Sequence, residues 1–480
     1  MKAAVENTVP KASPGITLFV VSVVQFVIPF LMSSINVALP VIGREFNATA
    51  VQLGLVHTVQ VLALVILLLP MGRFADIHGR KRIFTTGIII LGLSTLALAM
   101  VQSIQVFLIL RFIQGIGAAM IFSTSLAILT SVFPPGRQGK AMGIAVSSVY
   151  AGMAIGPSIA GVIITQAGWR WIFIMIFFMK ILVLTLILTR LKGEWSSAEG
   201  EPFDWIGSLV FIGSLLVLIY GAVHLTDMPP AKWIALAGLI GMVGFLRLEW
   251  KADYPLLDLH LLMENLLFTF SNLATFINYA AAFSFVFFFS LYLQFAKGLS
   301  PQAAGLVLVI QPAVQALLAP VAGRLSDTYP PSRIATIGMG LCTLALAISV
   351  VIDAGTPFSL IVIVLVLLGL SIGLFSTSNM TAIMGCVTSR HAGTAASMVA
   401  TMRTGGMLFS TTVIAVILSV YMGEQPIADH TIGAFIKSMR AALILFSILS
   451  LAGTLFSMAK GRLSIKLTVG RHSREAQVKK

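Results

Sequence analysis

The sequence predicts an all-α membrane protein with fourteen transmembrane helices. Its 480 residues are 58% hydrophobic and only 10% charged, whereas soluble globular proteins carry about 25% charged residues. The charges are clustered, and the apolar stretches between them are long enough for helices of about 20 residues to cross a bilayer. A soluble protein with a buried core would show shorter apolar segments.

The fourteen apolar segments are separated by short polar or charged stretches. Their predicted bounds are 15–41, 49–72, 83–101, 104–132, 139–166, 171–190, 204–224, 231–249, 265–293, 300–321, 334–352, 357–384, 393–421 and 436–459. The polar stretch 191–203, rich in Gly, Ser and Glu, is the expected flexible joint. An even number of spans places both ends of the chain on the same side of the membrane.

The distribution of basic residues predicts which side that is. Most of the 31 Lys and Arg residues fall in the loops and tails of one side, and such loops stay in the cytoplasm. Both termini are therefore expected there, in an inner or plasma membrane. The net charge of +14 follows from this topology and does not indicate nucleic-acid binding. The basic tail 460–480 is expected to lie against anionic lipid headgroups.

A charged motif, GRFADIHGRKR, follows the second span at residues 72–82. Glycine permits the backbone conformations of tight turns, so Gly72 and Gly79 predict a turn between two spans. The carboxylate of Asp76 is expected to bind a neighbouring cation or the N-terminus of a helix. Arg80 belongs to the basic cluster that holds this segment in the cytoplasm.

A weaker copy of this motif, GRLSD, follows the tenth span at residues 323–327. Internal similarity between two halves is typical of transporters that rock two helical bundles about a central site. Gly323 and Asp327 are therefore assigned the conformational role of Gly72 and Asp76.

Further motifs carry a family resemblance. RFIQGIGAA at 111–119 resembles the fourth-helix motif of the major facilitator superfamily, and GMAIGPSIAG at 152–161 resembles its fifth-helix antiporter motif. The charged motif at 72–82 resembles its signature segment. The shorter stretches NVALP, GWRWIF and FDWIG are similar to those of fourteen-span drug:proton antiporters of the EmrB/QacA type.

The resemblance implies the major facilitator fold, with two six-helix bundles, an inserted helix pair and alternating access. The implied parts are a tail (1–14), a bundle (15–190), a cytoplasmic linker (191–203), the inserted pair (204–249), a second bundle (250–459) and a basic tail (460–480). It also implies secondary active export of small amphipathic compounds, with proton exchange as the energy source.

Ionisable side chains inside spans are costly and are therefore candidates for function. Arg111 lies inside the fourth span, with Gln114 one turn later on the same face, and the resemblance associates this arginine with proton coupling. His57 lies near the middle of the second span, shares a face with Gln60, and has an imidazole that titrates near neutral pH. A carbonyl-binding structural arginine and a hydrogen-bonded core histidine are the alternatives.

Two further cations lie within spans. Arg403 is followed by two glycines that allow close approach; it is predicted to contact substrate or to form an interhelical hydrogen bond. Lys180 lies near the middle of the sixth span, where a role in transport competes with snorkelling or with packing on the inserted pair. Polar residues that could line a substrate cavity or bond between helices are Asn36, Gln60, Asn278, Gln311 and Gln315.

All 17 acidic residues fall in loops, at span ends or in the tails. The antiporters that this chain resembles carry an embedded aspartate five residues before the asparagine of the NVALP stretch, and Leu31 occupies that position here. A leucine can neither carry a proton nor attract a cation. The embedded charge is therefore positive, which favours neutral or anionic amphipathic cargo.

The fifth span contains a small-residue face. Gly152, Gly156 and Gly161 predict close helix packing, and Pro157 can kink the helix. Packing alone would explain these residues, whereas the resemblance implies a hinge or a leak-preventing interface.

The sequence predicts a transporter and no catalytic residues. It contains no phosphate-binding loop of the Gly-x-x-x-x-Gly-Lys-Ser/Thr type, and its two cysteines indicate neither a disulfide framework nor a metal site. No cofactor is expected; the expected partners are a small-molecule substrate, protons and membrane lipid. The alternatives are a transporter of a specific metabolite or lipid-like anion, without proton coupling, and a non-transporting membrane receptor.

Overall fold

The computed structural model describes residues 13–48, 50–134, 136–191, 193–223, 228–257, 259–387, 392–423 and 431–478. Within these ranges the chain is helical and contains no β-strand. Fourteen segments are long and apolar enough to cross a membrane, and each corresponds to one predicted span. The prediction of an all-α membrane protein is confirmed.

The first of two compact units extends to Phe203 and includes the start of a late helix, up to Ser397. Its six helices are α1 (Pro14–Glu45), α2 (Ala50–His78), α3 (Arg80–Ala99), α4 (Ile104–Val132), α5 (Gln138–Ala167) and α6 (Arg170–Arg190). Helix α1 packs mainly on α5, and α4 packs on both α2 and α3. An apolar core that includes Leu31, Ile35 and Phe173 holds α1 and α6 together.

The second unit comprises 204–387 and 398–480. Its helices are α7 (Trp205–Val223), α8 (Ala231–Lys251), α9 (Leu259–Glu264), α10 (Leu266–Leu291), α11 (Pro301–Leu308), α12 (Ile310–Thr328), α13 (Pro331–Ser349), α14 (Phe358–Gly385), most of α15 (Ala392–Met422), and α16 (Ile432–Val478). Helices α7 and α8 pair with each other, and α13 packs on α14 and α16. Helix α10 continues as a π-helical turn over Tyr292–Ala296.

Three helices differ from the prediction, and one of them is α16, which continues through the predicted tail to Val478. The tenth span is divided at Val309 into α11 and α12. The charged motif after the second span is not a loop, because α2 continues through Asp76 to His78. The turn occupies Gly79 alone, whose φ of 105° favours glycine. Gly72 is helical, so its predicted place in the turn is wrong; a side chain there would overlap Ser397.

The start of α6 is tied to the end of α1 by an ion pair. Arg170 Nη2 lies 2.6 Å from Glu45 Oε1, and the indole N–H of Trp169 donates to Glu45 Oε2 at 2.7 Å. The hydrogen bond from Arg170 lowers the pKa of Glu45, which lies beyond the membrane-spanning part of α1.

The polar linker after α6 is bound to the charged motif and is not a free joint. We call residues 193–203 the strap. The backbone N–H of Arg80 donates to the Trp195 carbonyl at 2.9 Å, and the N–H of Ser197 donates to the Asp76 carbonyl at 3.0 Å. These bonds satisfy backbone groups at the helix break, which is a reason for the strap to follow this path.

Replacing Arg73 by alanine is expected to loosen the strap. Arg73 forms a largely buried ion pair with Glu201, and hydrogen bonds to charged groups contribute about 1.5–3 kcal/mol. Limited proteolysis with a Glu-specific protease should therefore cleave the strap about tenfold faster. Arg82→Ala is the control, because Arg82 is 79% exposed and lies 3.8 Å from Glu194. Equal cleavage of R73A and the wild type would contradict this account of the strap.

Candidate functional site

A chain of hydrogen bonds inside the first unit joins Arg111 of α4 to Lys180 of α6. Arg111 Nη1 donates to Gln114 Oε1 at 2.9 Å, and Gln114 Nε2 donates to Thr95 Oγ1 at 2.8 Å. Lys180 Nζ donates to the same hydroxyl oxygen at 2.5 Å. All four side chains are at most 5% exposed. We call these four residues the relay.

One end of the relay lies beside His57. Arg111 Nε donates to the carbonyl oxygen of Val56 at 3.1 Å, directly before His57 in α2. Arg111 therefore combines the two roles that were open from the sequence, a carbonyl-binding arginine and a member of a polar chain. Its Nη2 atom has no hydrogen-bond partner in the described part of the chain. A buried arginine with an unused donor is costly, which favours a functional role.

Lys180 forms the other end of the relay, and its burial contradicts the alternative that its side chain snorkels to the membrane surface. Lys180 does not snorkel outward, because its side chain is 5% exposed and its Nζ also donates to the Leu91 carbonyl at 3.1 Å. Both acceptors of the Lys180 Nζ, the Leu91 carbonyl and Thr95 Oγ1, belong to α3. Sequence inspection missed Thr95, since a threonine in an apolar helix has no distinguishing pattern.

His57 contacts a polar residue of α1. Its Nε2 atom lies 2.6 Å from Asn36 Oδ1, so two predicted candidates meet. Gln60 is buried, and its Oε1 atom has no partner among the described residues. The first unit thus brings together two of the three coupling candidates, Arg111 and Gln114, and separately pairs His57 with Asn36.

Asp76 has both kinds of partner that its sequence context predicts. Its Oδ1 accepts from Arg80 Nε at 2.8 Å, and its Oδ2 accepts from the Thr394 backbone N–H at 3.2 Å, in the first turn of α15. Arg80 also donates to Ser131 and Ser197, each at 3.0 Å. The carboxylate is fully buried, so the motif, the strap and the start of α15 form one polar network.

The glycines of α5 differ in their surroundings. A methyl group on Gly152 would overlap the backbone oxygen of Phe26, and one on Gly156 would overlap the Ser33 hydroxyl. These two glycines therefore allow α5 to approach α1 closely. A methyl group on Gly161 would have nothing within 4 Å, so this glycine does not contribute to the predicted packing face.

The second unit contains a half-buried cluster of one cation and two hydroxyl groups. The guanidinium of Arg403 lies 5.9 Å from the ring centroid of Tyr279, within the range of a cation–π contact. The Tyr279 hydroxyl lies 3.0 Å from Ser376 Oγ. The neighbouring Asn278 is buried, and its Oδ1 has no partner among the described residues. This cluster combines a cationic group with an aromatic face.

The other cavity candidates of the second unit lie at helix contacts. Gln311 and Gln315 are buried on α12, where their backbones face Gly369 and Gly373 of α14. Their positions fit the alternative of interhelical packing.

The second copy of the charged motif is built differently from the first. Gly323 is buried and Asp327 is half-buried at the end of α12. The buried polar contact of this copy is made by Ser326, whose hydroxyl donates to Ser378 Oγ at 2.8 Å. The copy therefore lacks a carboxylate as buried as Asp76.

Among the described residues, two carboxylates are buried, and neither belongs to the relay. Asp76 lies near the end of α2, and Glu249 lies in the last turn of α8 with 2% exposure. Glu249 Oε2 accepts from the Leu257 N–H at 3.0 Å. Leu31 is 2% exposed within the apolar core of the first unit. In the part of the chain that the structure describes, no cluster of potential metal ligands occurs.

A model of the Major Facilitator Superfamily matches residues 21–246 and 272–476. The chain belongs to the major facilitator superfamily. The family resemblance of the motifs is confirmed, and this superfamily member is a multi-pass membrane transporter with a small-molecule substrate. The family points to transport and not to an enzymatic activity.

Several curated proteins are similar over most of this superfamily member. The riboflavin transporter RibZ of Clostridioides difficile is 28% identical, over 94% of this chain and 99% of its own. The multidrug resistance protein Stp of Mycobacterium tuberculosis is 28% identical, over 81% of this chain and 73% of its own. The tetracenomycin C resistance and export protein of Streptomyces glaucescens is 25% identical, over 86% of this chain and 78% of its own.

A solved structure supports the superfamily fold. The human organic anion transporter MFSD10 (TETRAN) superposes with a TM-score of 0.68, covers 93% of this chain and 100% of its own, and is 14% identical in sequence. At this identity the likeness concerns the fold alone.

Proposed function

We propose that this transporter exports neutral or anionic amphipathic compounds across the cytoplasmic membrane in exchange for protons, with both termini in the cytosol. One observation carries the proposal: the ionisable groups of the buried relay, Arg111 and Lys180, are both basic, so any charge that the relay bears is positive. Charges interact strongly in a medium of low dielectric constant. An interior with this charge repels cationic cargo and tolerates or attracts anionic cargo.

The cluster around Arg403 is the proposed contact for the cargo. Arg403 supplies a positive charge, Tyr279 supplies a flat apolar face, and the Ser376 hydroxyl can donate or accept a hydrogen bond. Amphipathic compounds with an aromatic ring and an acidic or carbonyl group match these three features. Relatives named for multidrug resistance and for tetracenomycin C export support cargo of this general kind.

Proton exchange is proposed through the relay and His57. Leu31 occupies the position of the embedded carboxylate in the antiporters that the chain resembles, and neither of the two buried carboxylates belongs to the relay. The proposed titrating group is therefore a basic one. The relay contains two basic side chains joined by hydrogen bonds, and its Arg111 end adjoins His57. A change of charge in this region would alter the hydrogen bonds that link α2, α3, α4 and α6.

Reconstitution into lipid vesicles tests the proposal. With an imposed pH gradient, vesicles are expected to accumulate the anionic dye carboxyfluorescein or the neutral compound riboflavin, and not the cation ethidium. Arg403→Gln should weaken the accumulation of carboxyfluorescein most strongly, whereas the exposed Arg324→Gln serves as its control. Accumulation of ethidium alone would overturn the proposed cargo class.

A second candidate function is transport of one planar aromatic metabolite. It is favoured by the similarity to the riboflavin transporter RibZ, which extends over 94% of this chain and 99% of the relative. The aromatic face of Tyr279 beside Arg403 suits such a compound. Transport of riboflavin that is saturable, not inhibited by the other amphipathic compounds, and independent of the pH gradient would favour this candidate.

A further inference from the structure

The surroundings of Lys180 satisfy a neutral amine better than an ammonium group. Lys180 Nζ has two acceptors, the Leu91 carbonyl at 3.1 Å and Thr95 Oγ1 at 2.5 Å. A neutral amine carries two N–H groups, which these acceptors satisfy, whereas an ammonium carries three. In the part of the chain that the structure describes, no acceptor is found for the third N–H. An unpaired N–H of a buried cation is costly.

The Thr95 hydroxyl has no capacity for a further hydrogen bond. Its hydroxyl oxygen accepts hydrogen bonds from Gln114 Nε2 and from Lys180 Nζ, and its O–H donates to the Leu91 carbonyl at 2.5 Å. A hydroxyl has one donor and two acceptor positions, so all three are used. The remaining position on the Lys180 nitrogen is therefore directed away from Thr95.

A cavity adjoins Lys180. Apart from Lys180 itself, its lining is aliphatic: Val24, Val27, Ile28, Ile88, Leu91, Ile121 and Val183. The lining side chains come from α1, α3, α4 and α6, so the cavity lies among four helices of the first unit. A lone pair on the Lys180 nitrogen can face this space, whereas a third N–H would face hydrocarbon.

Lys180 is surrounded by α1, α3, α4 and α5 and lies on α6, and all but one of the other charged side chains of these helices lie at helix ends. The exception is Arg111 of α4, which reaches Lys180 through the relay. The other charged residues of these helices lie at helix ends: Arg44 and Glu45 of α1, Arg80, Lys81 and Arg82 of α3, Lys140 of α5, and Arg170 and Arg190 of α6. Tyr150 of α5 is buried but does not line the cavity. Among the described residues of these helices, no anion lies beside Lys180 to hold it charged.

Gln114 connects the charge of Lys180 to Arg111. Arginine has donors only, so the oxygen of the Gln114 amide must face Arg111 and its nitrogen must face Thr95. Two positive charges at the ends of this short chain repel each other in the bundle interior. Protonation of Lys180 therefore disfavours the present position of Arg111 and its bond to the Val56 carbonyl.

We infer that Lys180 is the proton-carrying side chain of the first unit. The inference rests on the proton exchange proposed above. In the release step an N–H bond of the ammonium breaks, the electron pair stays on Nζ, and the proton passes to a water molecule. Uptake is the reverse step. The neutral amine keeps its bonds to Leu91 and Thr95, so the Lys180 end of the relay is present in both states.

A difference titration tests Lys180 without any substrate. Purified wild-type protein and Lys180→Met are titrated in weakly buffered detergent solution, and the protons bound are compared. The wild type is expected to take up one proton more than Lys180→Met at a pH below the range in which ordinary lysines titrate. Lys180→Gln, which keeps two N–H groups for the same acceptors, should also lack this proton. Lys140→Met, at an exposed lysine, is the control variant. Equal titration of the wild type and both Lys180 variants would overturn the inference.

A vesicle experiment separates this inference from the proposed function. The Lys180→Gln variant is expected to exchange carboxyfluorescein or riboflavin across the membrane without a gradient, but to lose accumulation driven by a pH gradient. Unchanged gradient-driven accumulation in K180Q, or loss of exchange together with accumulation, would overturn the role of Lys180 and leave proton-driven transport in place. If vesicles with the wild-type protein accumulated the compound equally with and without the pH gradient, the proposed coupling would be refuted. The titration would still decide whether Lys180 carries a proton.

Discussion

Replacing Asp76 by alanine is expected to destabilise the protein by about 3–5 kcal/mol, because removing one member of a buried ion pair leaves the other charge uncompensated. Asp76 is fully buried and binds Arg80 Nε at 2.8 Å. Its second oxygen accepts from the Thr394 N–H at the start of α15. The variant should therefore unfold at a markedly lower temperature in detergent and should transport poorly.

The second copy of the motif supplies the matched control. Asp327 occupies the corresponding position but is half-buried, so Asp327→Ala is expected to cost less than about 1 kcal/mol. The loss of stability in Asp76→Asn should lie between those of D76A and D327A. Asparagine keeps an acceptor for the Thr394 N–H but loses the charge that faces Arg80. Equal losses of stability in D76A and D327A would show that burial of Asp76 does not stabilise the first unit.

Replacing Gly152 by valine is expected to separate α5 from α1 and to prevent transport. The new side chain would overlap the backbone oxygen of Phe26, which cannot move without its helix. Overpacking of this kind costs about 1–3 kcal/mol. Thermal unfolding and vesicle transport of purified G152V measure the effect.

Gly161→Val is the control for the same helix. Nothing lies within 4 Å of a methyl group placed on Gly161, so this variant should unfold and transport like the wild type. If G161V lost as much stability as G152V, valine in α5 would be harmful for a reason other than contact with α1.

The spans could be predicted from sequence because lipid imposes a simple rule. A chain that crosses hydrocarbon must satisfy its own backbone hydrogen bonds, so each apolar segment forms a helix and its length sets its bounds. Local exceptions were not predictable in this way. Neither the division of the tenth span at Val309 nor the extension of α2 through Asp76 interrupts the hydropathy pattern.

The candidate site was predicted in part. Arg111, Gln114 and Lys180 were recognisable because charged or amide groups are rare within spans, and the pairing of Arg111 with Gln114 follows from their spacing. Thr95, which joins them to Lys180, has no such signal. The strap was expected to be flexible because its composition is polar. Its backbone bonds to Arg80 and Asp76 involve residues more than a hundred positions away, which local composition does not reveal.

The most direct test of proton-driven transport is a measurement of proton movement in the vesicles. A pH-sensitive dye is enclosed in vesicles that contain the purified protein, and carboxyfluorescein or riboflavin is followed in parallel while a concentration gradient of that compound is imposed. Protons are expected to move in the direction opposite to the compound, and this movement should be absent from vesicles without protein. Transport of the compound with no accompanying change of internal pH would contradict the proposed exchange.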